Sequence, residues 1–262
     1  MINATEKKLP ISVFIITLNE ERNIKRLLES CRDMDEIILV DSGSTDKTLE
    51  IAANYDVKIS HNDWPGYAKQ KAYAMSLCSH EWVLNLDADE ELTPELIKKF
   101  AKIVKENKYD SVRCQRNDIF MGKRLSSFTK KPNNCRLYKK ATASFDLSRF
   151  AHERADIKGS QVFIREAFNH YGYADIKTLT EKNNLYSSFK AEEKYSKNKK
   201  PSLLKLLLIF PAIFIKSYIF QRHIFSGKRG FILSVLTAYY LFIKEAKLFE
   251  LYSNDRKEAT YE

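Results

Sequence analysis

Four apolar runs early in the chain each break off into polar residues, and segments of helical period lie between them. Ile11-Ser12-Val13-Phe14-Ile15-Ile16 ends in Thr17-Leu18-Asn19-Glu20, and Glu36-Ile37-Ile38-Leu39-Val40 ends in Asp41-Ser42-Gly43-Ser44-Thr45-Asp46. Val57-Lys58-Ile59-Ser60 is shorter, and Leu84-Asn85-Leu86 runs into Asp87-Ala88-Asp89-Glu90-Glu91. Helical spacing covers residues 21–31, 45–54 and 66–78, and another helix is expected from Thr93-Pro94. β-rich runs without polar alternation belong to strands buried on both faces, so the pattern implies βαβ units and an α/β fold with a mostly parallel sheet. Ligands bind such sheets outside the carboxyl ends of the strands. Thr17, Asn19, Asp41, Asp46, Asp87 and Asp89 all fall at that edge.

Asp87 and Asp89 stand one residue apart. In extended backbone, residues i and i+2 project to the same face, so the two carboxylates can converge on one point. Hard oxygen donors at a strand end suit Mg²⁺ or Mn²⁺, which keeps open positions for phosphate oxygens. The plainer reading is an acidic turn ahead of the next helix.

The chain has 262 residues, enough for one principal α/β domain and a C-terminal extension. Cys31, Cys78, Cys114 and Cys135 lack metal-type spacing, and the polar N-terminus does not resemble a secretory signal, so reduced cysteines and a cytoplasmic location are expected. Residues 1–100 hold 12 Lys/Arg against 18 Asp/Glu, a balance of −6, while residues 101–262 hold 32 against 16, a balance of +16. An acidic half joined to a basic half suggests a metal site beside an anionic partner surface.

The C-terminal pattern favours lipid over nucleic acid as that partner. The run from Leu203 to Lys216 is strongly apolar with an uncharged centre over residues 206–215, and residues 231–243 form a second run. Both are expected to fall short of the roughly 17–25 residues that span a bilayer. Flanking lysines, arginines and tyrosines suit an interfacial belt, with Gly227-Lys228-Arg229-Gly230 as the turn of a helical hairpin. The alternative is a helix pair packed on the domain or on a second copy of the chain.

Thr17-Leu18-Asn19-Glu20-Glu21, Val40-Asp41-Ser42-Gly43-Ser44-Thr45-Asp46 and Asp87-Ala88-Asp89, in that order and spacing, resemble the nucleotide-sugar-binding half of a family 2 glycosyltransferase with the GT-A fold. Asp63-Trp64-Pro65-Gly66-Tyr67-Ala68-Lys69-Gln70-Lys71, Arg136-Leu137-Tyr138-Lys139 and His152-Glu153-Arg154 are similar to the bacterial lipopolysaccharide-core β-glucosyltransferases that act on inner-core heptose. The resemblance implies a division into a nucleotide-sugar half (1–110), an acceptor half (111–175) and basic amphipathic helices that associate with a membrane (176–262).

It also implies roles. Asp41 would hydrogen-bond the uracil or ribose of a UDP-sugar, and Thr17, Asn19 and Glu20 would shape that pocket. Asp89 would hold Mg²⁺ or Mn²⁺ on the diphosphate, with Asp87 on the ribose or a metal-bound water. Asp46 stands near a helix start and is as well suited to favour that end. Lys71 and Gln70 would face the pocket or solvent. Arg136, Lys139 and Lys140 would pair with phosphates or simply belong to an alternating strand. Glu153 is the candidate general base for an inverting transfer, with His152 orienting the acceptor or structural. His170 would reach the metal or, as the better expectation, lie on a surface loop.

The implied reaction moves a hexose, expected to be glucose, from a UDP-sugar to a lipid-linked saccharide on the cytoplasmic face of the membrane. Another cell-surface glycan is the alternative acceptor. An aspartyl phosphatase would place Asp-x-Asp after its first strand, and a sugar nucleotidyltransferase would carry a Gly-rich basic loop there; neither matches. A nucleic-acid-binding protein would use the basic half directly, but no stacking motif accompanies it.

Overall fold

The computed structural model describes residues 8–147, 155–173 and 175–261. The chain divides into two compact units, one of residues 1–117 and 131–171, the other of residues 118–130 and 172–262. These cut the chain differently from the three functional segments above, because residues 118–130 belong with the C-terminal helices.

In the first unit, β1 (Leu9–Thr17), β2 (Met34–Asp41), β3 (Lys58–His61) and β4 (Trp82–Asp87) are the four apolar runs, with α1 (Ile24–Ser30), α2 (Thr48–Ala52) and α3 (Tyr67–Ser76) between them. They pair in parallel in the order β3-β2-β1-β4. One face of this core packs Val13, Ile15 and Leu84 against Leu27 of α1 and Phe100 of α4 (Pro94–Glu106). The other face packs Phe14, Ile38 and Val83 with Ala68 and Ala74 of α3. Burial on both sides is why these strands read as continuous apolar runs. Thr93 caps α4 by accepting from the Leu96 amide at 3.3 Å, Pro94 takes the first turn, and Asn107 ends it in the left-handed conformation at φ 48°.

Beyond β4 the sheet turns antiparallel. β5 (Glu90–Glu91), β6 (Ser111–Phe120), β7 (Lys123–Arg124), β8 (Asn133–Lys139) and β11 (Gln161–Tyr173) continue it in the order β4-β8-β6-β11-β5, with β7 on β6. β9 (Ala143–Phe145) and β10 (Ala155–Ile157) form a separate two-stranded ribbon.

Glu36 of β2, only 6% exposed, holds the N-terminal end of this core. It accepts from Ser12 Oγ at 2.5 Å, Lys58 Nζ at 2.7 Å and the Ser79 amide at 2.8 Å. Burial would raise its carboxyl, but these donors outweigh that and bring it down to about 2. A carboxylate with a depressed native pKa stabilises the fold above its ordinary value and loses that contribution as pH falls toward the native one. Glu36→Gln is therefore expected to cost about 2 kcal/mol at neutral pH, less than the full shift implies because Lys58 is exposed. Urea unfolding of both proteins should show the gap closing between about pH 4.5 and 2; a gap independent of pH would refute this origin.

The second unit contains α5 (Ile176–Ser196), α6 (Leu203–Ile215) and α7 (Gly227–Tyr261), with α7 packed against both others. Phe120, Leu125, Leu179 and Leu233 form its small buried cluster. Glu245 of α7, 3% exposed, meets Lys194 at 2.5 Å, Lys205 at 3.3 Å and Lys244 at 3.5 Å, tying the three helices together.

Two expectations are corrected here. The hairpin turn is not Gly227–Gly230 but the preceding segment, where a 3₁₀ turn covers His223–Ser226; Gly227–Gly230 opens α7. Gly230 is there because a Cβ at that position would sit 1.8 Å from the His223 carbonyl oxygen. The first apolar run is also longer than expected. Lys216 does not end the helix, which continues through a π-helical turn, Lys216–Phe220. Leu203–Phe220 is thus 18 residues of mean hydropathy 2.0, long and apolar enough to cross a membrane by length and composition.

Candidate active site

Sheet register brings Thr17 opposite Asp41 and Ile16 opposite Asp87, so the carboxyl ends of β1, β2 and β4 form one edge. The loops after β1 and β2 are knitted together there. Asp41, 2% exposed, accepts from the amides of Gly43 and Ser44, both at 2.8 Å, and from Ser44 Oγ at 2.5 Å. Asn19, at φ 55°, donates its amide to Ser44 Oγ at 2.9 Å and accepts from the Thr45 amide at 2.8 Å. The Glu20 amide donates to Thr48 Oγ1 at 2.8 Å, and Asp46 accepts from the Thr48 amide and hydroxyl at 2.9 and 2.5 Å. Asp41, Asn19 and Asp46 therefore build the loops. Thr17 Oγ1 is buried and lacks a hydrogen-bond partner among the described residues.

Gln70 is fully buried and joins Ser42 Oγ at 2.9 Å to Asn62, whose side chain donates to it at 2.6 Å. Lys71, next to it on α3, is 2% exposed, so the solvated alternative is excluded. Its Nζ donates to Asp87 Oδ1 at 2.7 Å. Arg136 of β8 donates to Asp87 Oδ2 at 2.8 Å and to Glu90, and its guanidinium lies 5.3 Å from the Phe168 ring centre. Glu90 in turn accepts from the Asp87 amide at 3.1 Å. Burial would raise the Asp87 carboxyl, but Lys71 and Arg136 hold it well below the usual carboxylate range. Burial pushes Glu90 the other way, up to about 7, against the pull of Arg136.

The expectation that Asp87 joins Asp89 as an ion donor meets a different arrangement: each Asp87 oxygen already faces a cation, which would repel another. Arg136, expected on phosphates, is committed to carboxylates. Lys139 stands 3.4 Å from Asp110, and Lys140 donates to the carbonyls of Ser76 and Cys78 at 2.9 and 2.7 Å, so these two serve the end of α3 and its surroundings.

His170 is not on a surface loop. It lies in β11, in register with Glu90 of β5, and its Nε2 is 3.6 Å from Asp89 Oδ2. Its neighbours lock that register. Glu91 accepts from Asn169 Nδ2 at 2.8 Å and from the Tyr171 hydroxyl at 2.7 Å, while the Tyr171 amide donates to the Asp89 carbonyl at 2.8 Å. The Arg26 guanidinium stacks 3.7 Å above the Tyr171 ring. Glu90, Glu91, Asn169 and Tyr171 are site residues that sequence reasoning missed; the aromatic and β-branched content of residues 161–173 was the available signal for this strand. Glu153 and His152 lie outside the described residues.

Among the described residues no three acidic, histidine or cysteine side chains gather closely enough to cage an ion. The Asp89–His170 pair still fits a divalent cation held on a diphosphate. It offers one carboxylate from the turn between β4 and β5 and one imidazole from β11, each about one-sixth exposed, and phosphate oxygens and water complete such a shell.

Comparison with known proteins agrees with this geometry. Residues 12–172 match the family described as Glycosyl transferase family 2. An uncharacterized glycosyltransferase of Rickettsia typhi is 35% identical over 92% of this chain and 87% of its own length. The lipopolysaccharide core biosynthesis glycosyltransferase LpsC of Rhizobium meliloti is 32% identical over 93% of each. The crystal structure of S. aureus TarS shares the fold with a TM-score of 0.50 at 16% identity, covering 87% of this chain and about half (54%) of that longer one. The parallel core with its polar strand-end loops, the match over most of the chain and the full-length relatives together make this chain a glycosyltransferase belonging to glycosyl transferase family 2.

Proposed function

We propose that the protein transfers a hexose, glucose, from a UDP-sugar to a lipid-linked saccharide such as the lipopolysaccharide inner core, with inversion at the anomeric carbon. The Asp89–His170 pair beside the charge-balanced Asp87 cluster, at the edge where an α/β sheet binds its ligand, carries this reading. The printed name of the Rhizobium relative supports the acceptor class. In this reading Thr17, Asn19, Glu20 and Asp41 frame the nucleotide pocket, Asp41 chiefly through the turn it holds. Asp89 and His170 hold Mg²⁺ or Mn²⁺ against the diphosphate. When bound, the ion supplies positive charge opposite the leaving group. Lys71 and Arg136 keep Asp87 ionised and fixed, which orients the Asp87–Glu90 turn that presents Asp89. The reaction takes place at the cytoplasmic face of the membrane that carries the acceptor.

The acceptor hydroxyl attacks the anomeric carbon from the face opposite UDP. The new C–O bond forms as the bond to the diphosphate breaks, UDP leaves with the electron pair, and the hydroxyl proton passes to a general base. Glu153 is that base.

UDP release from UDP-glucose, UDP-galactose and UDP-N-acetylglucosamine by the purified full chain tests the donor, with UDP-glucose expected to be fastest. With the acceptor present, Glu153→Gln is expected to lower kcat roughly 10²-fold while leaving UDP-sugar affinity unchanged. An unchanged kcat would remove Glu153 from the mechanism. Absence of turnover with all three donors would overturn the donor class.

A further inference from the structure

The helix Leu203–Phe220 turns its apolar side outward. Successive residues of an α-helix rotate by roughly 100°, so Leu204, Leu208, Pro211 and Ile215 fall on one stripe. All four are exposed, Leu204 by 68%. Beside this stripe the helix packs on α7, where Phe214 and Tyr218 meet the Phe231 ring at 5.6 and 5.9 Å. Ser217 is the buried member of the segment. The hydrophobic effect disfavours such a face in water, and contiguous apolar surface of this kind marks an interaction site.

The surrounding charge selects the partner. Of the ten Lys/Arg in residues 194–244, Lys194, Lys205 and Lys244 are drawn to Glu245 and Lys197 to Glu193, which leaves Lys199, Lys200, Lys216, Arg222, Lys228 and Arg229 as the basic surface. A second copy would bring the same basic surface against itself, whereas an anionic bilayer complements it. The helix carries two charges of its own, Lys205 and Lys216, eleven residues apart. At roughly 100° per residue they stand within about 20° of each other, along one margin of the apolar stripe. Lys205 meets Glu245 of α7 at 3.3 Å, so Lys216 is the one of the two left to reach a phosphate, as suits a helix lying in the plane of the interface. In a spanning helix, Lys216 would instead sit about 6 Å inside the end of the apolar segment, four residues from Phe220.

From this geometry we infer that Leu203–Phe220 docks flat on an anionic membrane surface, its Leu204–Leu208–Ile215 stripe in the acyl boundary and Lys216 at headgroup level. The inference bears on the lipid-linked acceptor of the proposed function, but its test involves no sugar chemistry.

Full-length protein is floated with vesicles of phosphatidylglycerol and phosphatidylethanolamine, and separately with phosphatidylcholine vesicles. Flotation is expected with the anionic vesicles and is expected to weaken at high salt. Leu208→Ser with Ile215→Ser should reduce partitioning by more than roughly tenfold, and Lys216→Gln by roughly fivefold. Nitroxide labels at positions 204, 208, 215 and 219 should report one shallow depth. Depths that pass through a maximum toward the bilayer centre would replace docking by spanning. No flotation, with a dimer that Leu208→Ser and Ile215→Ser convert to monomer, would make the stripe a subunit interface. Flotation without any UDP-sugar turnover would leave the docking intact and count against the proposed reaction.

Discussion

Asp89→Ala is expected to lower sugar transfer by at least roughly 10³-fold while leaving thermal stability nearly unchanged. Asp89 stands outside the buried ion-pair cluster: Lys71 and Arg136 both bond Asp87, not Asp89, and the contact of Asp89 to His170 is 3.6 Å long. Its backbone carbonyl, which accepts from the Tyr171 amide, survives the substitution. What disappears is the carboxylate beside the His170 imidazole. Mn²⁺ affinity, measured by calorimetry in the presence of UDP and without a sugar acceptor, should fall with it. His170→Ala should weaken the same affinity by roughly tenfold, because the carboxylate remains. If Asp89→Ala binds Mn²⁺ as well as the parent, the ion is held elsewhere, and any loss of transfer must have another cause.

The contrast between Asp89 and Asp87 shows where the sequence could be read and where it could not. The parallel core was legible because strands buried on both faces are mostly apolar through their centres, as residues 13–16 of β1, 37–40 of β2 and 83–86 of β4 are, Asn85 apart. The polar edge followed from that, since Thr17, Asp41 and Asp87 end those strands. Thr93, Pro94 and Asn107 mark the limits of α4 by local chemistry alone. The partners of Asp87 were not legible. Lys71 lies 16 residues away and Arg136 lies 49 residues away, so their burial depends on how α3 and β8 pack, not on any local pattern. Hydrophobic spacing does not distinguish a lysine in solvent from one neutralised inside. His170 was misplaced for a related reason. β5 is two residues long and leaves no periodic trace, yet its antiparallel pairing with β11 sets His170 beside Asp89. The length of the apolar helix Leu203–Phe220 was underestimated because Lys216 reads as a boundary in sequence, whereas the backbone carries on through a π-helical turn.

Arg136→Met should be the most damaging substitution in the first unit that leaves the apolar core untouched. Arg136 is 8% exposed, and its guanidinium serves two carboxylates at once, Asp87 at 2.8 Å and the almost fully buried Glu90. Replacing a buried ion pair entirely with apolar groups can be neutral, but removing one partner strands the other's charge and costs about 3–5 kcal/mol. Lys71 continues to compensate Asp87, so the group left without its partner is Glu90, whose carboxyl burial already pushes up to about 7 and which relieves part of this cost by taking up a proton. Stability is read by urea unfolding with tryptophan fluorescence, since both tryptophans, Trp64 and Trp82, lie in the first unit. Arg136→Lys should fall between the parent and Arg136→Met, because the ammonium keeps the charge but lacks the planar guanidinium beside the Phe168 ring whose Nη2 serves both acceptors. Adding Glu90→Gln to Arg136→Met should restore a large part of the loss, giving a coupling energy of about 1–3 kcal/mol in the double-mutant cycle. The restored variant should still transfer sugar poorly, because the Asp87–Glu90 turn that presents Asp89 has lost its anchor on β8. Strictly additive effects of the two substitutions would show that Arg136 stabilises the sheet through its packing on Phe168, not through the charge of Glu90.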